Sequence, residues 1–369
     1  MSVPHPRYNE SIAEFRSVAK SYDGKRLAVD NLDLEIRRGE FLTLLGPSGS
    51  GKTSALMMLA GFERPTSGRI LLEGRDVADQ PAHKRDIGVV FQNYALFPHM
   101  TAAQNIAFPL KVRRLSRAEV EARVEYALTM VRLDQMGSSR PGQMSGGQQQ
   151  RIALARALVF NPSLIVMDEP LGALDKNLRE EMQYEIKALH RQLGVTIVYV
   201  THDQSEALTM SDRIAVFQKG RIIQLDSPRT IYDRPGNLFV ACFLGENNQL
   251  AGKVVEKSSV GLGKVKLASG DIVRCQFPQA HNPGADVVLL VRPEDVLIGD
   301  LAVACDYRTT GTVREMIYHG QHFQVSIELA DGEAIVALCR PGASASLAAG
   351  TAIAIGWQAD HAVALVREP

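Results

Sequence analysis

The chain has 369 residues, with 41 Lys plus Arg against 41 Asp plus Glu, four Cys and 45% hydrophobic residues. That length suits two domains with separate cores, and the composition excludes wholesale disorder. Zero net charge argues against a general nucleic-acid binder, and no run reaches the roughly 18 consecutive apolar residues of a membrane span. The opening MSVPHPRYNE lacks the apolar core of a secretory leader, so the chain is expected in the cytosol. Cys242, Cys275, Cys305 and Cys339 form no C-x-x-C pair, so they are expected as small apolar core residues rather than a disulfide framework or zinc site.

Along residues 12–230, short β-branched runs alternate with helical patterns, which predicts an α/β domain. The apolar run FLTLLG (41–46) leads into GPSGSGKT, Gly46 to Thr53, and then into a helical stretch that stops at Gly61. Strand, glycine loop and helix in that order give a phosphate loop. Gly46, Gly49 and Gly51 let the backbone curl and aim its N–H groups inward. The helix N-terminus adds partial positive charge, Lys52 reaches the β- and γ-phosphates, and the Thr53 hydroxyl ligates Mg²⁺. Pro47, Ser48, Ser50 and Ser54 complete the candidate nucleotide contacts, so the chain is expected to bind a nucleoside triphosphate.

Further on come the strand IGVVFQ (87–92) and a helix over 116–133 that opens on a Ser116…Glu119 capping box. Ser145-Gly146-Gly147-Gln148 opens another strong helix, whose N-terminus makes a second anion site. LIVMDE (164–169) reads as a central strand, 176–194 as a helix capped by Gly194, and VTIVYVT (195–201) as a last buried strand. Arg85, Arg113, Arg151 and Arg156 read as solvated or structural. The texture changes near DRPGN (233–237), after which short strands alternate around Gly turns. Gly252-x-Val254 recurs as Gly311-x-Val313, and ADVVLLVRPEDV (285–296) has a counterpart in TAIAIGWQADHA (351–362). This faint duplication predicts a pair of small barrels. The expected domains are 1–239 and 240–369.

The remaining motifs resemble those of ATP-binding cassette (ABC) proteins. QMSGGQQQRIALARAL (143–158) resembles their signature, with Met144 in place of the usual Leu. LIVMDEPLGALD (164–175) resembles the Walker B segment and D-loop, YVTHD (199–203) the switch histidine, and VVFQNYALFPHMT (89–101) the Q-loop. The resemblance implies an α/β P-loop ABC domain, made of a core sheet plus a helical subdomain, followed by a C-terminal all-β, OB-like (TOBE-like) regulatory domain. It implies ATP and Mg²⁺ as cofactors. Tyr22 is placed under the adenine, Asp168 on the metal, and Glu169 on the attacking water with His202. Gln92 touches metal or water, and Asp175 lies along a seam between two copies. Asp168 and Glu169 are adjacent on a strand and point to opposite faces unless the chain bends, so they take different tasks. Ser145, Gly146, Gly147 and Gln148 would cap the γ-phosphate of ATP held by a second copy, giving a head-to-tail homodimer.

The tail, FLGENN with VRPEDV, resembles importer ATPases of the spermidine/putrescine group. The expected role is therefore ATP hydrolysis coupled to solute uptake, peripheral on the cytoplasmic face of the membrane. Two integral membrane permeases would be direct partners, an extracytoplasmic solute-binding protein an indirect one, and nucleic acid none. Polyamine is the expected substrate, with iron(III), an aminophosphonate or a sugar as alternatives, and a nucleic-acid ABC ATPase as the other class. The permeases would meet the loop after Gln92 through exposed Tyr94 and Phe97.

Overall fold

The computed structural model describes residues 10–256, 260–340 and 348–367. The reading of the chain start as leaderless falls on residues 1–9, outside them. The chain divides into two compact units, Met1–Pro228 and Arg229–Pro369. The division precedes the expected boundary at 239, because the segment around the breaker cluster already packs with the β unit. Arg292 donates to the Tyr232 carbonyl at 3.1 Å and stacks on its ring at 3.7 Å.

The first unit opens on two long antiparallel strands, β1 (Ser11–Ser21) and β2 (Leu27–Arg37), which plain strand–helix alternation does not contain. Then follow β3 (Phe41–Leu45), α1 (Lys52–Ala60), β4 (Ser67–Leu72) and β5 (Arg75–Asp76). Strands β4 and β5 extend the first pair into a sheet of order β2-β1-β4-β5. Next come β6 (Ile87–Val90), α2 (Ala102–Val112), α3 (Arg117–Met130), α4 (Gly146–Leu158), β7 (Leu164–Asp168) and α5 (Lys176–Leu193). The unit closes with β8 (Thr196–Thr201), α6 (Gln204–Met210), β9 (Arg213–Gln218) and β10 (Arg221–Asp226). The second sheet has the order β10-β9-β3-β8-β7-β6, parallel except for β10.

Strands β7 and β8 are apolar nearly throughout because both of their faces are covered. On one face α1 inserts Leu56, Met58 and Leu59 between Leu44, Val166 and Val200 of the parallel sheet and Phe15, Val18 and Ile36 of the antiparallel one. Each such burial is worth about 1.5–3 kcal/mol. On the other face Met182 and Ile186 of α5 and Leu154 of α4 cover Ile165, Met167 and Tyr199. Helices α2, α3 and α4 share a separate core around Ile106, Leu110, Leu128 and Ile152, the helical subdomain.

The second unit begins within α7 (Pro228–Asp233) and continues through α8 (Leu238–Phe243), β11 (Asn248–Val254), β12 (Gly261–Leu267), β13 (Ile272–Phe277), β14 (Asp286–Val291) and β15 (Leu297–Ile298). After these come β16 (Tyr307–Tyr318), β17 (Phe323–Leu329), β18 (Ala334–Cys339), β19 (Ala352–Trp357) and β20 (Ala362–Val366). The duplication is real in register. Gly252 pairs with Leu267 and Val287, and Gly311 pairs with Leu329 and Ile353. A Cβ on Gly252 would lie 2.4 Å from Val265 Cγ1, and one on Gly311 2.5 Å from Ile327 Cγ2, so the same close crossing demands glycine twice.

Both β14 and β19 run into a single 3-10 turn, Pro293–Asp295 and Ala359–His361. The strand after each turn then crosses over. β15 pairs with β19 of the second half, while β20 pairs with β14 and closes the first barrel, β11-β12-β13-β20-β14. The second half is a five-stranded sheet, β15-β19-β16-β17-β18, rather than a second closed barrel. Cys275, Cys305 and Cys339 are buried and unpaired as expected, but Cys242 is exposed on α8.

Candidate functional site

In the parallel sheet β3, β8, β7 and β6 are successive neighbours, and each delivers one candidate segment from its carboxyl end. Beyond β3 comes the glycine loop, beyond β8 His202, beyond β7 Glu169 and beyond β6 Gln92. Leu45 is level with Thr201, and Asp168 with Val200, so these segments meet at one edge, where open α/β sheets bind ligands.

The loop is shaped by backbone contacts. Gly51 has φ 104°, and a Cβ there would stand 2.4 Å from the Ala28 carbonyl oxygen; a Cβ on Gly46 would stand 2.5 Å from that of Phe217. Helices α2 to α6 each have a side-chain oxygen on a first-turn amide, from Thr101, Ser116, Ser145, Asp175 and Asp203. Helix α1 opens on Gly51 without such a cap, which leaves its first-turn N–H groups for an outside anion. Lys52 is buried, its ammonium donating to the carbonyls of Gly46 at 2.8 Å and Pro47 at 2.9 Å. Burial pushes the Lys52 pKa down, against the pull of Glu169 and Asp168.

Thr53 donates its hydroxyl to Asp168 Oδ1 at 3.1 Å. Burial raises the Asp168 pKa, with the Thr53 hydrogen bond opposing. A desolvated ammonium and a desolvated carboxylate stand together, and each is eased by an opposite charge brought from outside. Phosphate oxygens and a divalent cation supply those charges, so the donor set fits Mg-nucleotide: a hydroxyl and one carboxylate, with phosphates and water completing the shell.

Glu169 has φ 44°, so the chain does bend after Asp168. That turn swings its carboxylate to His202, with Nδ1 3.2 Å from Oε2, while its backbone N–H is fixed on the Val200 carbonyl at 3.0 Å. The segment carrying His202 is braced from below. Asp203 caps α6 and pairs with Arg179 at 3.2 Å, and Arg179 also donates to the Leu174 carbonyl beside Asp175 at 3.0 Å. Sequence reading missed Arg179; the Asp203…Glu206 capping pattern was its one visible signal. Tyr22 is exposed, with its hydroxyl 3.1 Å from Ser54 Oγ at the start of α1.

Two expectations change. Gln92 does not end a strand, since β6 stops at Val90; it is exposed and faces the turn after Glu169, its Nε2 3.9 Å from where a Gly172 Cβ would be. Tyr94 is not exposed. Tyr94 and Ala95 have φ 61° and 47°, a kink that turns the Tyr94 ring into the core beside α4, and Phe97 is half-buried. The four arginines are solvated or structural as expected: Arg113 is exposed and pairs with Asp86 at 3.1 Å, and the other three are at least partly buried. Arg85, for example, holds the Met58 and Leu59 carbonyls at the end of α1 at 2.6 and 2.8 Å. Ser145 and Gln148 form a reciprocal capping box on α4, and a Cβ on Gly147 would crowd Leu178 Cδ1 at 3.1 Å. Among the described residues no hydrogen bond or ion pair joins Ser145–Gln148 to the Gly46–Ser54 loop of the same chain.

The ABC transporter family matches residues 29–172, and the TOBE domain family matches residues 289–365. The spermidine/putrescine import ATP-binding protein PotA of Thermobifida fusca is 47% identical over 354 residues, 94% of this chain and 92% of that protein. This chain belongs to that family of ABC ATP-binding proteins. As a member it binds and hydrolyses ATP, and its α/β unit is an ABC cassette followed by a TOBE-type β unit. The PotA protein of Methylococcus capsulatus is 50% identical over 325 residues, 88% of this chain and 84% of its own. Among solved structures, the cassette MJ0796, dimeric in a post-hydrolysis state bound to ADP and Pi, is 34% identical with a TM-score of 0.53. That similarity covers 59% of this chain and 99% of MJ0796.

Proposed function

We propose that this chain is the ATP-hydrolysing subunit of a polyamine importer, acting as a homodimer on two membrane permeases at the cytoplasmic face, with an extracytoplasmic solute-binding protein delivering the solute. The observation that carries the site is the pairing at one sheet edge of Thr53 with Asp168 at 3.1 Å and Glu169 with His202 at 3.2 Å. Relatives named for spermidine/putrescine import, at 47% and 50% identity along most of the chain, favour polyamine over iron(III), aminophosphonate or sugar.

In this reading the first-turn N–H groups of α1 and the Lys52 ammonium hold the β- and γ-phosphates, while Tyr22 lies under the adenine. Pro47, Ser48, Ser50 and Ser54 shape the rest of the loop. Thr53 and Asp168, with Gln92 nearby, would hold Mg²⁺, which when bound neutralises phosphate charge. Glu169 accepts a proton from the attacking water, and His202, whose Nδ1 lies 3.2 Å from its Oε2, keeps that carboxylate oriented. One carboxylate thus serves the cation and the other the water, because the chain turns between them.

Each chain supplies its Ser145, Gly146, Gly147 and Gln148 to the other copy's γ-phosphate. The Ser145 hydroxyl accepts from the Gln148 N–H and keeps its own proton to donate. The dimeric MJ0796 cassette supports two-copy assembly. Asp175 caps α5 next to the Arg179 brace and so lies on the path between the D-loop and His202. The two units of the chain are proposed to fold independently.

Uptake of labelled spermidine by membrane vesicles carrying the whole complex tests the reading. Wild type should drive uptake that unlabelled putrescine competes with and iron(III) or maltose does not. Uptake competed equally by those unrelated solutes would overturn the substrate assignment.

A further inference from the structure

The loop that follows Gln92 is held in an unfavourable backbone shape. Tyr94 and Ala95 both carry side chains, yet both sit in the left-handed region, at φ 61° and 47°. The Tyr94 ring is buried, and its hydroxyl has no hydrogen-bond partner among the described residues. Such conformations persist only where the surroundings impose them, and they cluster in switch segments.

Two side chains impose this one. Asn105 of α2, fully buried, accepts from the Phe97 N–H at 2.8 Å and donates to the Thr101 carbonyl at 3.0 Å, which fixes the far half of the loop. Arg156 of α4 fixes the near half. Its two terminal nitrogens fork onto the carbonyls of Tyr94, at 2.8 Å, and Ala95, at 2.7 Å, the same two strained residues. Its guanidinium also lies 5.8 Å from the centre of the Phe97 ring. Helix α4 is 13 residues long and begins directly after Ser145, so one rigid rod of roughly 20 Å carries the Ser145–Gln148 segment at one end and this fork near the other.

We propose that Arg156 is a positioning residue that couples the two ends of α4. By clamping the left-handed pair Tyr94–Ala95, it makes the loop after Gln92 move with the helix that serves the other copy's ATP. The inference rests on the proposed reading that this loop meets the permeases and that Ser145–Gln148 meets the second nucleotide. A rigid rod joined to a strained loop passes on displacement, whereas a loosely attached loop would relax and absorb it. Arginine is required because only its planar fork holds two carbonyls at once; a lysine ammonium can satisfy one without fixing the angle between them.

The test uses the assembled membrane complex and measures ATPase, uptake and KM for ATP. Arg156→Met should cut transport-coupled ATPase and uptake about tenfold with KM for ATP changed less than twofold, and Arg156→Lys should fall between it and wild type. The decisive variant is Arg156→Met with Ala95→Gly. Glycine takes a positive φ without strain but restores no link to α4, so less than a quarter of the lost coupling should return, whereas Ala95→Gly alone, with the fork intact, should couple within twofold of wild type. Wild-type coupling in Arg156→Met, or its rescue by Ala95→Gly in a complex that assembles normally, would overturn the proposal, the latter by showing that Arg156 only holds the loop's shape. His99→Glu, which changes an exposed residue of the same loop, separates the two readings. If it abolishes assembly while Arg156→Met couples normally, only the clamp is wrong. If it leaves assembly and coupling intact, the docking reading fails and the clamp with it.

Discussion

Replacing Gly51 by Ala separates two costs that glycine avoids in the phosphate loop. Gly51 stands at φ 104°, and an added Cβ would sit 2.4 Å from the Ala28 carbonyl oxygen and 3.3 Å from Gly220 Cα. Neither neighbour yields easily. Gly220 is fixed by its N–H to the Ser50 carbonyl at 2.9 Å and by its own carbonyl to the Asp30 N–H at 2.9 Å. Gly49, two residues earlier, has φ 75° with nothing within 4 Å of its virtual Cβ. Gly49→Ala therefore carries backbone strain alone, about 1–2 kcal/mol. Gly51→Ala carries comparable strain plus overpacking of about 1–3 kcal/mol. At ~2–4 °C per kcal/mol for a unit of this size, Gly51→Ala should melt roughly 2–12 °C below Gly49→Ala. Differential scanning fluorimetry without nucleotide reads the gap, and a fluorescent ATP analogue should show the larger loss of affinity for Gly51→Ala, because the displaced Cβ tilts the uncapped first turn of α1. Equal melting temperatures would refute the claim that the Ala28 carbonyl sets the shape of this loop.

Buried His190 touches the Gly39 carbonyl at 3.1 Å, and burial pushes its pKa below the ordinary value of 6.5. Below that value the unfolded chain binds the extra proton, so this histidine makes stability fall as pH drops from 7.5 to 5.5, by at most about 1.4 kcal/mol per unit. The difference in melting temperature between wild type and His190→Gln should shrink with falling pH, and parallel profiles would contradict the assignment. Gly252→Ala and Gly311→Ala should each destabilise the β unit by about 1–3 kcal/mol in denaturant titrations, since both added methyls meet the neighbouring strand; a silent variant would break the repeat equivalence. The fragment Arg229–Pro369, with its own core around Phe277, Ile327 and Trp357, should show a cooperative thermal transition alone. A non-cooperative melt would show that the unit depends on the cassette.

What could be read from sequence tracks how local each determinant is. The glycine loop, the apolar strands ending at Asp168 and Thr201, and the Ser116 and Gly194 caps are set by neighbours within a few residues, and they stand where expected. The long pair β1 and β2 was hidden because Ser17 and Asn31, at φ 48° and 47°, interrupt the strands and shift register between Phe15 and Val18, which spoils the two-residue alternation. Tyr94 was read as exposed because nothing in NYALFPHMT announces two consecutive left-handed residues; Arg156, some 60 positions away, imposes them. Chemistry likewise named Glu169 and His202, but not the positive φ that brings the carboxylate round. The exchange of β15 and β20 between the halves is a long-range pairing that the repeat motif implied without specifying.

The central claim is that two copies share each nucleotide, with Glu169 on the water. The most direct measurement is light scattering after size exclusion of Glu169→Gln with ATP and Mg²⁺. The account predicts a shift from 40.4 kDa to about twice that mass, with two nucleotides per particle, and no shift when Ser145→Arg is added. A particle that keeps bound ATP but remains at 40.4 kDa, or a dimer indifferent to Ser145→Arg, would contradict it.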